Sequence, residues 1–319
     1  NLAGQAAYAE RQAYEQALLD HAGITAVSTP IHHLYLAADQ FIVKRPTQRD
    51  LNGRSLIAGY HWFSDWGRDT MIALPGLTLN TGRPEIAASI LRTYAQFVDQ
   101  GMIPNRFPDA GEHPEYNTVD ATLWYIEAIR AYYQATNDQE LLRELFPVLE
   151  EIIRWHRRGT RYNIAMDTAD GLLYAGEEGI QLTWMDAKIG NWVVTDRIGK
   201  PVEISALWYN ALMAMTEFAQ ALGHTPDEYT ALAQRVKTGF QRFWNPKMGY
   251  CYDIIDGPDG PDGKLRPNQL FAISLPYSPL TPEQQRSVVD ACSRHLLTAH
   301  GLRSLSPDDD DYIGSYGGD

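Results

Sequence analysis

The sequence predicts an all-α fold in which paired helices build two concentric rings. Three observations predict it. The helical segments are of two kinds, the kinds alternate along the chain, and the connections alternate in length with them. A helix that is apolar around its whole circumference is enclosed on all sides, whereas one with a single apolar stripe lies outside it. The inner-then-outer pattern repeats four times.

Residues 5–21 are Ala-rich and read as a helical lead-in or linker, so 1–29 stand apart from one domain over 30–319. Residues 30–43 read as a short helix, and 69–79 as a helix apolar nearly all round. Residues 84–100 are amphipathic, with Ile86, Ile90, Leu91, Tyr94, Phe97 and Val98 on one face. Pro84 sits in their first turn and Gly101 just past their end. Residues 120–133 are again mostly apolar. Residues 139–156 carry a stripe of Leu142, Leu145, Leu149, Ile152 and Ile153, with Pro147 as an expected kink. Residues 203–222 are apolar round most of their circumference. Residues 226–244 are amphipathic, and Thr225, Pro226 and Glu228 give them a capping-box layout. A short apolar helix over 268–275 precedes an amphipathic one over 282–297, which opens Thr281-Pro282-Glu283-Gln284. An α-solenoid also pairs its helices, but with more uniform pairs and shorter, more regular loops.

The bulk composition narrows the function classes. At 319 residues and 44% hydrophobic content the chain supports one large core. A net charge of −13 argues against a nucleic-acid binder and is compatible with a neutral substrate such as a sugar. Cys251 and Cys292 are too few and too separated for a disulfide framework or a metal site, which fits a reducing, cytoplasmic compartment. No apolar run approaches the roughly 18–20 residues of a membrane span. Residues 1–20 lack the layout of a signal peptide and an initiator Met, so the chain is expected to begin inside a longer protein. His32, His33 and His61 lack partners at metal-ligand spacing, and no Gly-rich phosphate loop is present, so neither metal nor cofactor is expected.

The loops that lead from an outer into an inner helix are long: 44–68, 101–119, 159–202 and 245–267. Those leading outward are short, such as 80–83 and 135–138. In such a ring the inner helices run parallel, so the long loops gather at one end, and long ordered loops are usually functional. Four clusters fall in them. The first contains Trp62, Asp65, Trp66, Arg68 and Asp69; the second Asn105, Arg106, Tyr116, Asn117 and Asp120; the third Trp184, Asp186 and Lys188; the fourth Glu203. Sugars need this mixture. Their C–H faces bury on aromatic planes, and their hydroxyls take directed hydrogen bonds from carboxylates, amides and Arg. Trp62, Trp66, Tyr116 and Trp184 are the candidate plates, whereas Trp155, Trp208 and Trp244 lie within helices and are assigned to the core.

Glycoside hydrolysis takes two carboxyl groups, roughly 6.5–9.5 Å apart in the inverting variant. The acid wants a shielded pocket. Asp186, directly after Trp184 and Met185 in a long loop, fits that role, although Lys188 nearby opposes protonation. Asp69, Asp120 and Glu203 each open an inner helix, where N-terminal capping is the competing account and is compatible with binding a hydroxyl.

Several of these segments together resemble the amylo-α-1,6-glucosidase domain of glycogen debranching enzymes. They are 39–43, 58–63 and 65–70; 104–107; Tyr116-Asn117 with Asp120-Ala121; Thr183-Trp184-Met185-Asp186; and 202–204 with 206–210. The resemblance runs from about Leu34 to Asp319. It implies an (α/α)6 toroid related to glucoamylase, of which this sequence supplies about nine of the twelve ring helices. It also implies inverting hydrolysis of α-1,6-linked glucose at the branch points of a glycogen-like glucan. Asp186 would be the general acid, and Asp69 would hold hydroxyls of the terminal glucose with Arg68 and Asp120 nearby. Family members carry a further stretch after a Tyr-Gly-Gly-Asp segment that supplies the last helices and the general base, and a β-rich N-terminal domain. The chain is therefore expected to be truncated at its C-terminus. Inner-helix faces left exposed would favour a dimer.

Two other functions stay open on the residues alone. A non-catalytic glucan-binding toroid would use the same plates. An isoprenoid enzyme would use Asp308–Asp311 as a Mg²⁺-diphosphate site, against which Pro307 and Gly314 mark an ordinary acidic loop.

Overall fold

The computed structural model describes residues 2–22, 29–47, 49–107 and 113–315, and ten α-helices lie among them. Helices α1 (Leu2–His21) and α2 (Thr29–Gln40) pack on each other, joined by Tyr14 donating to Asp39 at 3.0 Å. The ring follows as four inner–outer pairs: α3 (Gly67–Leu74) with α4 (Pro84–Ala95), α5 (Ala121–Thr136) with α6 (Gln139–Arg158), α7 (Val202–Leu222) with α8 (Asp227–Phe240), and α9 (Phe271–Ser274) with α10 (Pro282–His295). Helix α3 packs on α5, α5 on α7 and α7 on α9, forming the inner arc, while α4, α6 and α8 lie against it from outside. These eight helices form an arc of the double ring that the alternation predicts, one fewer than the expected nine, since α2 packs on α1 outside the four pairs. Among the described residues no helix is long and apolar enough to cross a membrane.

The two helix types arise as expected. Helix α7 is buried along both sides, from Val202 through Ala219, whereas α6 buries one stripe, Leu141, Leu142, Leu145, Phe146, Leu149, Ile152, Ile153 and His156. Each such apolar side chain contributes roughly 1.5–3 kcal/mol by leaving water. Trp208 is fully buried, stacks on His156, and sends its indole N–H to the Gly171 carbonyl at 3.0 Å. The expected assignment of Trp208 to the core is thereby correct.

Several boundaries differ from the expected ones, each for a local reason. The segment expected as a helix over 30–43 ends at Gln40, and Ile42–Lys44 instead pairs antiparallel with Arg54–Leu56. The helix expected to reach Leu79 widens into a π-turn over Pro75–Leu79, because Pro75 has no N–H to continue the α ladder. Helix α4 stops at Ala95 rather than Gln100; the chain then reverses through Gln100 and Gly101, both at positive φ. A side chain at 101 would meet Trp155 Cβ at 2.3 Å, so only Gly fits there. Pro147 does not break α6, since it and Arg143 lie on the exposed side, where water can serve the carbonyl left without a donor. The Thr225 capping box does not form; α8 begins after Pro226 with no side-chain cap. The box at Thr281 and Gln284 does form, with both bonds present. The long loops are stiffened by hairpins of two-residue strands, among them 165–166 with 173–174 and 188–189 with 192–193.

Candidate active site

The first turns of α3, α5 and α7 open at one end of the ring and present Arg68 and Asp69, Asp120, and Glu203. The loop before α7 adds Trp184 and Asp186, and the start of α9 adds Phe271. Together with Ala58, Gly59, Phe63, Trp66, Ile72, Trp124 and Leu207 they line a single cavity of about 590 Å³. Helical spacing explains the composition of the wall. Arg68 and Ile72, Asp120 and Trp124, and Glu203 and Leu207 are i,i+4 pairs, so α3, α5 and α7 each set a charged group and an apolar group on the same face.

The close start of α3 depends on Gly67. Its N–H donates to the Asn105 carbonyl at 2.8 Å, and a Cβ there would meet the Pro104 carbonyl at 2.1 Å. Arg68 is thereby carried into the cavity wall, where it is almost fully buried. Its Nε donates to Asp120 Oδ2 at 2.7 Å and its Nη1 to Asp186 Oδ2 at 2.9 Å. Burial works against the Arg68 charge, but Asp120 and Asp186 outweigh it and hold the guanidinium above its ordinary value. Asp120 also accepts from Thr118 Oγ at 2.7 Å. It makes no helix-capping bond, so capping does not account for it. Asp69 is open to solvent through the cavity, yet desolvation by the surrounding protein pushes its carboxyl above the usual range, against the pull of Arg68. Glu203 is buried and held by both Nη atoms of Arg197. Burial pushes Glu203 up and the Arg197 fork opposes it.

Half of the expected site residues meet in this cavity: Trp66, Arg68, Asp69, Asp120, Trp184, Asp186 and Glu203. The others do not line it. Lys188 sends its ammonium to the Gly179 carbonyl at 2.7 Å, so it does not touch Asp186; the cation that does is Arg68. Trp62 stands 74% exposed beside His61, outside the cavity lining. Asp65 is fully buried behind the wall and paired with Arg45. Asn105 bonds Asn117 at 3.3 Å, Arg106 pairs with Glu115, and Tyr116 donates to the Phe97 carbonyl at 2.8 Å beneath Arg161. These four shape the 101–119 loop behind Gly67. Trp124, Phe271, Phe63 and Leu207 were not anticipated. The i,i+4 step from Asp120 to Trp124, and from Glu203 to Leu207, is the signal in the sequence that finds two of them.

A family model described as amylo-alpha-1,6-glucosidase matches residues 36–319. The chain belongs to the amylo-alpha-1,6-glucosidase family. That membership places it among the glycosidases. A glycogen debranching enzyme of Saccharomyces cerevisiae is 26% identical over 352 residues, covering 82% of this chain. The chain spans 23% of that relative's length. Among solved structures, a GH63 mannosylglycerate hydrolase from Thermus thermophilus superposes with a TM-score of 0.64 at 14% identity, over 88% of this chain and 82% of that one. An uncharacterised conserved protein from the same organism gives 0.62 at 15% identity, over 88% and 80%. Both share the toroidal fold with this amylo-alpha-1,6-glucosidase family member.

The remaining carboxylate cluster lies elsewhere. Asp167, Asp170 and Asp256 could together hold a metal ion, but they already enclose Lys200, within 2.9 Å of each, and Arg242 reaches two of them. Two residues of the acidic run at 308–311 have partners within the fold: Asp308 bonds the His295 ring at Nδ1, 2.7 Å away, and Asp311 pairs with Lys264 at 2.5 Å.

Proposed function

We propose that the chain hydrolyses α-1,6-linked glucose at the branch points of a glycogen-like glucan, by an inverting mechanism with Asp186 as general acid. The observation that carries this reading is the convergence of Asp186, Arg68, Asp120 and Asp69 with Trp66, Trp124, Trp184 and Phe271 around one cavity. The aromatic residues offer planes for the C–H faces of a glucosyl ring. Asp69, the wall carboxyl with no arginine hydrogen-bonded to it among the described residues, accepts ring hydroxyls. Asp186 passes its proton to the bridging oxygen as the C–O bond breaks, and a water attacks the anomeric carbon from the opposite face while giving its own proton to a general-base carboxylate, for which Asp69 is the candidate among the described wall residues. Arg68 bridges Asp186 and Asp120 and so fixes where the Asp186 carboxyl stands in the wall.

A second reading, glucan binding without turnover, is favoured by one observation. Asp120, Asp186 and Glu203 are each hydrogen-bonded to an arginine, so among the described residues Asp69 is the one wall carboxyl left for the general-base role. Incubation with isomaltose and with a limit dextrin separates the two. Free glucose from the chain, lost in Asp186→Asn, supports hydrolysis; tight binding with no glucose supports the second reading. A cytoplasmic location and self-association belong to the same proposal.

A further inference from the structure

Behind the cavity wall, five side chains form one continuous hydrogen-bonded chain from Trp184 to Glu203. The Trp184 indole N–H donates to Asn268 Oδ1 at 2.7 Å. Asn268 Nδ2 donates to Asp253 Oδ1 at 2.8 Å. Arg197 donates from Nε to Asp253 Oδ2 at 3.0 Å and from both Nη atoms to Glu203. The three middle residues are all more than nine-tenths buried, and Asn268 is completely so. The polarity of the chain has one solution. An indole N–H can only donate and a carboxylate can only accept, so Asn268 must turn its oxygen to Trp184 and its amide to Asp253. A buried amide so fixed on both sides has no second orientation to adopt.

Trp184 itself is 38% exposed at the cavity, and its neighbours in the loop, Ala187 to Asn191, are exposed as well. A large aromatic at a loop surface would ordinarily sample several rotamers and lose that freedom when it binds a ligand. We infer that Asn268 is a positioning residue, which holds the Trp184 indole as a preformed sugar plate two residues from Asp186 and couples it through Asp253 and Arg197 to Glu203. This rests on the glucan reading for the nature of the ligand, not for the placement of the indole. Neither wall of the cavity can then shift alone: Glu203 on α7 and Trp184 on the loop share one buried anchor.

A double-mutant cycle between Asn268→Leu and Trp184→Phe tests the inference, with isomaltose binding followed by calorimetry. If Asn268 acts through Trp184, Asn268→Leu raises the Kd about tenfold, and in the Trp184→Phe background it adds no further loss. Equal losses in both backgrounds, or an unchanged Kd in the single variant, overturn it. Asn268→Ser enters the same cycle should the leucine variant fail to fold by circular dichroism. A ligand-free readout keeps the inference separate from the glucan reading. The Trp184 emission, obtained by subtracting the Trp184→Phe spectrum, should be quenched by acrylamide about twice as strongly once Asn268 is replaced. Should the unaltered chain show no heat with isomaltose, the glucan reading fails, and the quenching comparison alone decides whether Asn268 holds the indole. Unchanged quenching contradicts the inference.

Discussion

Arg68 and Asp186 stand 118 residues apart in the chain, yet the Arg68 Nη1 donates to Asp186 Oδ2 at 2.9 Å. The same guanidinium holds Asp120 at 2.7 Å, so a first-turn residue of one inner helix joins the loop carboxyl to the start of the next. Arg presents this fork as a rigid plane, whereas Lys offers a single point charge. Arg68→Lys should therefore keep the fold and lower kcat for glucose release about 10–100-fold. Steady-state kinetics with isomaltose, alongside circular dichroism, checks this. An unchanged kcat in the lysine variant removes Arg68 from the proposed chemistry.

The buried Arg197 predicts a stability effect. It is 7% exposed and satisfies both Glu203 and Asp253, which are 2% and 3% exposed. Arg197→Met would leave the buried Glu203 without its arginine, and Asp253 with only Asn268 and Arg266, a loss of about 3–5 kcal/mol. Arg92, paired with Glu144 at the surface, serves as the control, and Arg92→Met should cost under about 1 kcal/mol. Urea unfolding of the two variants measures both. Equal losses would mean that the Arg197 cluster is solvated in solution.

His156 predicts how stability changes with acid. It is fully buried against Trp208, its Nδ1 lies 2.9 Å from the Ile152 carbonyl, and burial lowers its pKa from 6.5 to about 4. Below pH 6.5 the unfolded chain takes up a proton that the folded chain refuses. Stability therefore falls as the pH drops from 6.5 towards 4, by about 2 kcal/mol at pH 5 for this group. His156→Phe should remove that slope while costing some stability at pH 7 through the lost hydrogen bond. Denaturant titrations at pH 7 and pH 5 read the difference. An identical pH dependence in the two proteins would show that His156 is protonated in the fold.

The Lys200 cluster works in a lower window. Asp256, held by Arg242 and Lys200, is lowered to about 2. A depressed carboxylate contributes stability above its unfolded value of about 3.9, and that stability is lost as the pH falls towards 2. Asp256→Asn should flatten acid unfolding between pH 4 and 2. Thermal melts across that range check it, and an unaltered acid limb in the variant would contradict the assignment.

The ring was legible from the sequence because burial on all sides leaves an unmistakable mark on helices such as α7, while a single stripe marks α6. The charged half of the cavity was legible too, since Arg68, Asp69, Asp120 and Glu203 all fall where a long loop enters an inner helix. What the sequence hid are choices made by contact. Lys188 is nearer to Asp186 in sequence than Arg68 is, but a tight hairpin turns it to the Gly179 carbonyl. Trp62 and Trp124 have the same chemistry, and only the helix starting at Ala121 turns the second inward. The starts of α8 and α10 look alike in sequence, each Thr-Pro with a Glu or Gln three residues after the Thr, yet Glu228 pairs with Arg157 and only Thr281 and Gln284 close the box.

A crystal structure of Asp186→Asn soaked with isomaltose tests the central proposition most directly. The expected result is a glucosyl ring in the cavity against Trp66 or Trp184, with a hydroxyl within about 3.2 Å of Asp69 and the bridging oxygen at the same reach of position 186. A sugar bound on another face at saturating concentration, or an empty cavity, would contradict it.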